Sequence, residues 1–116
     1  MKLLIVKLSQ ISFFICLIAI EYLATTTTSI PAIENSWDKF NHFIAFITLY
    51  ILLSLGYQKL IDLKKVIILM IFAIQIEIVQ SFIPNRYFSL LDVVADAIGI
   101  ILGIVVYKFF RNRFSY

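Results

Sequence analysis

Four long apolar segments, each close to the length that crosses a lipid bilayer, make up most of this chain. They run over Leu3–Ala24, Phe40–Tyr57, Val66–Ile83 and Leu90–Phe110. A membrane-spanning helix needs about 20 apolar residues, so the second and third segments are near the short limit. With 62% hydrophobic residues among 116, a soluble domain has too little interior to bury this much apolar surface. The sequence therefore predicts an all-α, four-helix transmembrane bundle that forms one domain over residues 1–116.

Turn-forming residues separate these segments. Pro31 precedes the second segment, Gly56 lies near its end, and the pair Pro84–Asn85 divides the third from the fourth. The run Ser89–Asp92 matches a capping box that opens the fourth helix. The first segment has an alternative interpretation as a cleaved signal peptide, although it is long for one and no clear cleavage site ends it.

The positively charged residues predict which helix ends face the cytoplasm, because Lys and Arg concentrate on that side of a membrane protein. With both termini cytoplasmic, only Lys39 and Arg86 of the ten basic residues lie outside. The inner basic residues are Lys2, Lys7, Lys59, Lys64, Lys65, Lys108, Arg111 and Arg113. The net charge of +3 is small and its carriers flank apolar segments, so we expect topology signals and no nucleic-acid partner.

Polar residues gather near the predicted outer ends of the second, third and fourth helices. A rise of about 1.5 Å per residue places His42, Glu77 and Asp96 roughly 7–10 Å below those ends. A shallower level contains Asp38, Gln80, Arg86 and Asp92. The pairs Asp38/His42, Glu77/Gln80 and Asp92/Asp96 each share one helix face. This pattern predicts a single polar pocket, open to the outside and lined by three helices.

Small residues continue the aspartate-bearing face of the fourth helix. Gly99 and Gly103 follow Asp96 on that face, and Ala95 lies beside it. Small residues spaced in this way let two helices approach closely in lipid. We therefore expect a tight packing seam below the polar residues.

The polar residues also carry a resemblance to a known family. The pattern Asp38-x-x-x-His42-Phe43-x-x-Phe46, followed by Glu77-x-x-Gln80-x-Phe82-x-Pro84-x-Arg86-x-x-Ser89-x-x-Asp92-x-x-x-Asp96-x-x-Gly99, resembles the VanZ-like family. The likeness covers residues 37–103, and the first helix matches only as a hydrophobic span. It implies a multi-pass protein of the bacterial cytoplasmic membrane, with a link to teicoplanin resistance and no established biochemical activity. Asp96 departs from the asparagine expected more often there, which makes the predicted pocket more acidic.

The candidate site residues fall into two groups. Glu77, His42 and Asp96 are the candidate acid/base residues. The candidate ligand-binding residues are Arg86, Gln80, Asp92, Asp38 and Ser89. A guanidinium beside the free N–H groups at a helix start suits phosphate or carboxylate, which is the reason for including Arg86. The alternative is structural: the polar pairs tie helices together, and Ser89 and Asp92 cap the fourth helix.

The sequence gives little reason to expect a cofactor. It contains no Gly-rich phosphate loop, no cysteine pair, no H-E-x-x-H and no G-x-S-x-G pattern. Its single cysteine, Cys16, lies in an apolar run, which indicates a packing residue. A metal bridged by His42, Glu77 and Asp96 is allowed by residue type and is kept as a weaker alternative. We predict no metal and no cofactor.

Several functions remain open at this point. The first is binding of an anionic lipid or cell-wall precursor in a pocket that opens at the outer surface of the membrane. The second is a membrane enzyme that uses acid/base chemistry on a lipid-linked phosphate or ester. A structural scaffold and an ion-coupled carrier are further alternatives, the carrier disfavoured because no acid is expected on the cytoplasmic half of any helix. A homodimer is a further hypothesis, because four spans enclose little space.

Overall fold

Four α-helices form the described part of the chain in the computed structural model. The structure describes residues 2–25, 37–82 and 90–114, with side chains over residues 3–22, 40–82 and 90–111. We name the helices α1 (Lys2–Thr25), α2 (Trp37–Gly56), α3 (Asp62–Gln80) and α4 (Leu90–Phe114). No β-strand occurs within those ranges. The all-α prediction with four helices is therefore confirmed.

The predicted boundaries of α1 are within one residue, whereas α2 begins three residues early, α4 ends four residues late, and α3 begins four residues early and ends three residues early. The third segment was predicted to begin at Val66, after a separating stretch over residues 58–65, but the helix already includes the charged residues Asp62, Lys64 and Lys65. An acidic residue in the first turn interacts favourably with the positive end of the helix dipole, and this explains why the polar stretch is helical. The helix ends at Gln80, before the predicted end at Ile83.

The two middle helices hold the bundle together. Both α2 and α3 pack against every other described helix, whereas the described parts of α1 and α4 do not contact each other. On α2 the buried residues Phe46, Leu49, Tyr50 and Leu53 recur at the spacing of one helical face. They form the core with Phe13 of α1, Leu69, Ala73 and Ile76 of α3, and Ile100 of α4.

The predicted glycine seam lies between α4 and α2 and is confirmed. A Cβ atom added at Gly99 would lie 2.5 Å from the backbone oxygen of Phe43. At Gly103 it would lie 2.7 Å from the Cβ atom of Tyr50. Both distances are shorter than real side-chain contacts allow, so only glycine permits this approach of the two helices.

Two of the described helices are long and apolar enough to cross a membrane. These spans are Leu3–Tyr22 in α1 and Leu90–Arg111 in α4, and α2 contributes the shorter apolar stretch Phe40–Gly56. Only 11% of the most apolar part of the first span and 28% of the second is buried inside the bundle. The helices therefore present their apolar side chains outward, which suits lipid better than water.

Candidate functional site

Four ionisable side chains from three helices meet at one end of the bundle. His42 comes from α2, Glu77 from α3, and Asp92 and Asp96 from α4; we call these four residues the polar cluster. The Nδ1 atom of His42 lies 2.8 Å from Oδ1 of Asp96, and its Nε2 atom lies 3.8 Å from Oδ2 of Asp92. Two aspartates one helical turn apart thus reach the two nitrogens of the same ring.

The polar cluster continues the helix faces that build the hydrophobic core. His42 lies one turn before the buried Phe46, Glu77 directly follows the buried Ile76, and Asp96 lies one turn before the buried Ile100. The same packing that buries these three apolar residues therefore directs the polar side chains inward. The close approach of α2 and α4 at Gly99 lies one turn beyond Asp96 and brings His42 within reach of that carboxylate.

The polar cluster is almost completely removed from solvent. Glu77 and Asp96 have no exposed surface, and Asp92 is 5% exposed. The His42 side chain is 10% exposed. Moving a carboxylate out of water costs several kcal/mol unless partner groups replace the lost hydration. Three acidic groups buried around one imidazole depend on such partners, and clusters of buried ionisable groups concentrate at functional sites.

Three members of the polar cluster have the arrangement of metal ligands. His42, Glu77 and Asp92 each offer one ligand atom, and these three atoms all lie within 4.8 Å of one another. The trio considered from the sequence contained Asp96 in place of Asp92. Asp96 instead contacts Nδ1 of His42, so it bonds to a possible metal ligand and is not itself a member of the trio.

The structure describes the side chains of only some of the remaining predicted site residues. Gln80 is buried at the end of α3, one turn after Glu77 and on the same face. The backbone of Asp38 lies in the first turn of α2, but its side chain is outside the described residues. Arg86 and Ser89 also lie outside them, so the anion site assigned to Arg86 stays a prediction. Asp92 lies in the first turn of α4 while facing His42, so capping and site roles are compatible.

A further acid, Glu21 of α1, forms a hydrogen bond with α3 two residues before Glu77 of the polar cluster. The Nε2 atom of Gln75 donates a hydrogen bond of 2.6 Å to Oε1 of Glu21, which links α3 to α1. Glu21 lies near the end of α1, and Gln75 precedes Glu77 by two positions and therefore points to a different side of α3.

A second polar network, which was not predicted from the sequence, lies at the end of the core opposite the polar cluster. Lys65 was interpreted as a topology signal in a loop, but it is only 4% exposed within α3. Its Nζ atom donates a 2.9 Å hydrogen bond to Oγ of Ser54 and lies 5.0 and 5.2 Å from the ring centres of Tyr50 and Tyr107. The i,i+3 spacing of Asp62 and Lys65 was the available signal, and it indicated a helix start.

Asp62 is the acidic partner in this second network. Its Oδ1 atom accepts a 2.8 Å hydrogen bond from the Tyr50 hydroxyl, and its Oδ2 atom lies 3.0 Å from Nζ of Lys108. The Tyr50 hydrogen bond, followed by the one from Lys108, lowers the pKa of Asp62 to about 2. Burial lowers the pKa of Lys65, and the neighbouring Asp62 carboxylate opposes this effect.

The position of Asp62 bears on the ion-coupled carrier, one of the alternatives that the sequence left open. A carrier was disfavoured because no acid was expected within a helix at the end predicted to be cytoplasmic, yet Asp62 is the first residue of α3 at that end. That reason for disfavouring a carrier therefore does not hold. The buried apolar side chains of Phe46, Leu49, Leu69 and Ile76 separate the two polar ends within the described core.

Comparison with known proteins agrees with the resemblance found in the sequence. The profile of the VanZ/LLP1 family matches residues 4–111, which include the first helix and all four residues of the polar cluster. No curated protein and no solved structure matches the chain.

Proposed function

Because this chain belongs to the VanZ/LLP1 family, we propose that it is a membrane protein whose polar cluster binds an anionic lipid headgroup or lipid-linked cell-wall precursor. The single observation that carries this proposal is the convergence of His42, Glu77, Asp92 and Asp96 from three helices at one buried position. A scaffold could hold its helices with apolar and glycine contacts, as Phe46, Leu49 and Gly99 do in this bundle. Clusters of buried ionisable groups concentrate at functional sites, and this favours recognition of a ligand over a scaffold.

We propose a four-span arrangement in the bacterial cytoplasmic membrane with both termini inside. The apolar helices α1 and α4 and the outward-facing apolar side chains support it. The end of the bundle that contains Lys59, Lys64 and Lys108 is then the cytoplasmic end, in agreement with the distribution of positive charge. The polar cluster lies at the other end and would face the outer surface.

Arg86 would provide the positive charge that an anionic ligand requires. It precedes Leu90, the first residue of α4, by a few positions in the predicted outer loop. Free backbone N–H groups and the helix dipole make such a helix start favourable for phosphate. Binding of a wall precursor at this position would change how a glycopeptide such as teicoplanin meets its target, and this is how we would connect the site to resistance.

Lipid binding tests this proposal with a matched pair of variants. The purified protein would be mixed with phosphatidylglycerol or with zwitterionic phosphatidylethanolamine, and the bound lipid measured by native mass spectrometry. We expect Arg86→Ala to weaken binding of the anionic lipid at least tenfold. Lys39→Ala, which removes the other predicted outer cation, should leave it unchanged. Equal binding by wild type and Arg86→Ala would contradict the anion site.

The Asp96–His42 contact favours acid/base catalysis as a second candidate function. An aspartate that accepts a hydrogen bond from one ring nitrogen orients the other nitrogen toward its target and raises its basicity. Glu77 has a carboxylate oxygen within 4.8 Å of a ring nitrogen of His42 and would exchange a proton with a bound phosphate or ester. If Glu77→Gln folds, binds the ligand and keeps full activity in cells, catalysis by Glu77 is excluded.

A further inference from the structure

The His42 ring places one nitrogen against Asp96 and the other on the side of Asp92. Oδ1 of Asp96 lies 2.8 Å from Nδ1, and an ionised carboxylate can only accept a hydrogen bond. Beside an ionised Asp96, Nδ1 carries the hydrogen of the neutral ring, and Nε2 is the nitrogen that can bind a metal ion. Oδ2 of Asp92 is 3.8 Å from Nε2.

This arrangement is the one that proteins use to prepare a histidine for a metal ion. A metal-bound histidine almost always donates its other ring N–H to a carboxylate or a carbonyl, which fixes the tautomer and strengthens the ligand. Asp96 stands in the position of that carboxylate. His42 is thus prepared as a ligand by a residue that does not itself face the proposed ion.

The distances between the donor atoms suit a transition metal after small movements. Two ligands that each lie about 2.1 Å from a tetrahedral zinc ion are about 3.4 Å apart. The Nε2–Oδ2 distance of 3.8 Å is close to this value, and all three donor atoms of His42, Glu77 and Asp92 fall within 4.8 Å of one another. Side-chain rotations that move the donor atoms by up to about 1 Å would close the shell.

The three ligands come from three separate helices whose packing is already fixed. α2 contributes His42, α3 contributes Glu77 and α4 contributes Asp92, and all three helices contribute residues to the hydrophobic core. A site built from packed helices holds its donors in place before the ion arrives, which reduces the entropy lost on binding. The buried carboxylates of Glu77 and Asp92 also supply two negative charges that match a divalent cation.

We propose that His42, Glu77 and Asp92 bind one divalent transition-metal ion of the zinc class, with Asp96 as the residue that positions His42. Three protein ligands leave a tetrahedral ion one open position, which is the pattern of ions that bind or polarise a ligand. The metal site stands on the geometry alone, and its use in holding a phosphate oxygen rests on the function proposed above. In that role the ion explains how an acidic cluster accepts an anionic headgroup.

Metal titration of the full-length protein in detergent tests the site. We expect wild type, stripped with a chelator, to bind one Zn²⁺ per chain, measured by calorimetry and by elemental analysis after gel filtration. His42→Gln and Glu77→Gln should lose this binding, and Asp96→Asn should weaken it about 10–100-fold, as expected for an outer-shell partner. Glu21→Gln is the matched control, because Glu21 is a half-buried acid outside the trio, and this variant should bind zinc as wild type does.

Helical circular dichroism and gel filtration of each variant separate loss of the site from loss of the fold. Should a variant misfold, competition of Zn²⁺ with Mg²⁺ on wild type gives the answer instead, since an imidazole ligand favours zinc strongly. Wild type that binds no stoichiometric zinc, or that loses it equally in Glu21→Gln, would overturn the metal site.

Anionic lipid binding with and without zinc distinguishes this inference from the proposed function. Lipid binding that requires zinc supports both. Zinc binding without any anionic lipid binding overturns the proposed function and leaves the metal site standing. Anionic lipid binding by a wild-type protein that binds no zinc overturns the metal site and leaves the proposed function standing.

Discussion

Asp96 of α4 and His42 of α2 are joined by a contact of 2.8 Å between Oδ1 and Nδ1, and the Asp96 carboxylate is fully buried. Hydrogen bonds to charged groups contribute about 1.5–3 kcal/mol to stability. We therefore predict that Asp96→Ala lowers the free energy of unfolding by about that amount. Asp96→Asn should lose less, because the amide oxygen still accepts from Nδ1. Unfolding of the purified variants in a mixed-micelle titration with SDS measures both.

Val94→Ala provides the control for that comparison, because Val94 is an exposed residue on the same turn of α4. Asp96→Ala with a stability equal to that of Val94→Ala would show that the contact is not formed.

The glycine seam predicts an unusual sensitivity to the smallest possible substitution. A Cβ atom at position 99 would meet the backbone oxygen of Phe43 at 2.5 Å, and a backbone atom cannot rotate away. Gly99→Ala should therefore destabilise the protein by about 1–3 kcal/mol, as overpacking does. Ile101→Ala, at an exposed position of the same helix, should change stability much less. The same unfolding titration checks this, and a neutral Gly99→Ala would contradict the close approach.

Lys65 and Lys64 offer a matched pair of neighbouring lysines. Lys65 is buried and bonded to Ser54, whereas Lys64 is exposed. We expect Lys65→Ala to lower the melting temperature in detergent through a loss of about 1–3 kcal/mol, and Lys64→Ala to have little effect. Lys65→Met should fall between them because it keeps the volume of the side chain. Equal effects of the two alanine variants would refute the buried position of Lys65.

Acid should weaken the second network through Asp62. Its pKa lies near 2 in the folded protein, below its ordinary value of 3.8, so its stabilising contribution is complete above pH 4 and is lost as the pH falls toward 2. The side chain is 41% exposed, so solvent keeps the effect small. Asp62→Asn should lose less stability than wild type between pH 4 and pH 2, measured as melting temperature against pH. Parallel curves for the two proteins would contradict this prediction.

Most of the fold could be predicted from the sequence because the patterns that determine it lie within single helices or helix pairs. Apolar segments, turn residues and the small-residue stripe of Gly99 and Gly103 each act within one helix or one helix pair, so the four helices and the seam followed directly. Helical spacing also predicted one level for His42, Glu77 and Asp96, and the structure brings His42 into contact with Asp96. It could not assign partners, because the ring of His42 reaches Asp96 with one nitrogen and Asp92 with the other, and this depends on the rotation of packed helices.

The network around Lys65 escaped prediction for a different physical reason. A lysine can bury its long apolar stem between aromatic rings while its charge meets local partners, so a charged letter in the sequence does not imply an exposed residue. Its partners Ser54, Tyr50 and Tyr107 are spread over two other helices. Only their packing shows that the polar stretch at the start of α3 belongs to the bundle.

Membrane topology is tested by labelling single cysteines in a protein whose Cys16 has been replaced by alanine. Arg86→Cys and Asp38→Cys should react with a membrane-impermeant maleimide in intact cells. Gln58→Cys, at the exposed turn between α2 and α3, should react only after the membrane is opened. The reverse pattern would invert the proposed orientation and place the polar cluster toward the cytoplasm.

The most direct test of the central claim, that the polar cluster is the working site, is rescue of a gene deletion with the Glu77→Gln variant. Lipids, lipid-linked wall precursors and teicoplanin sensitivity would be compared between the deletion strain and strains complemented with wild type, Glu77→Gln or the exposed-site control Lys64→Ala, at equal membrane levels of folded protein. We predict a change in the deletion strain that wild type and Lys64→Ala restore and Glu77→Gln does not. Full restoration by Glu77→Gln would contradict the account.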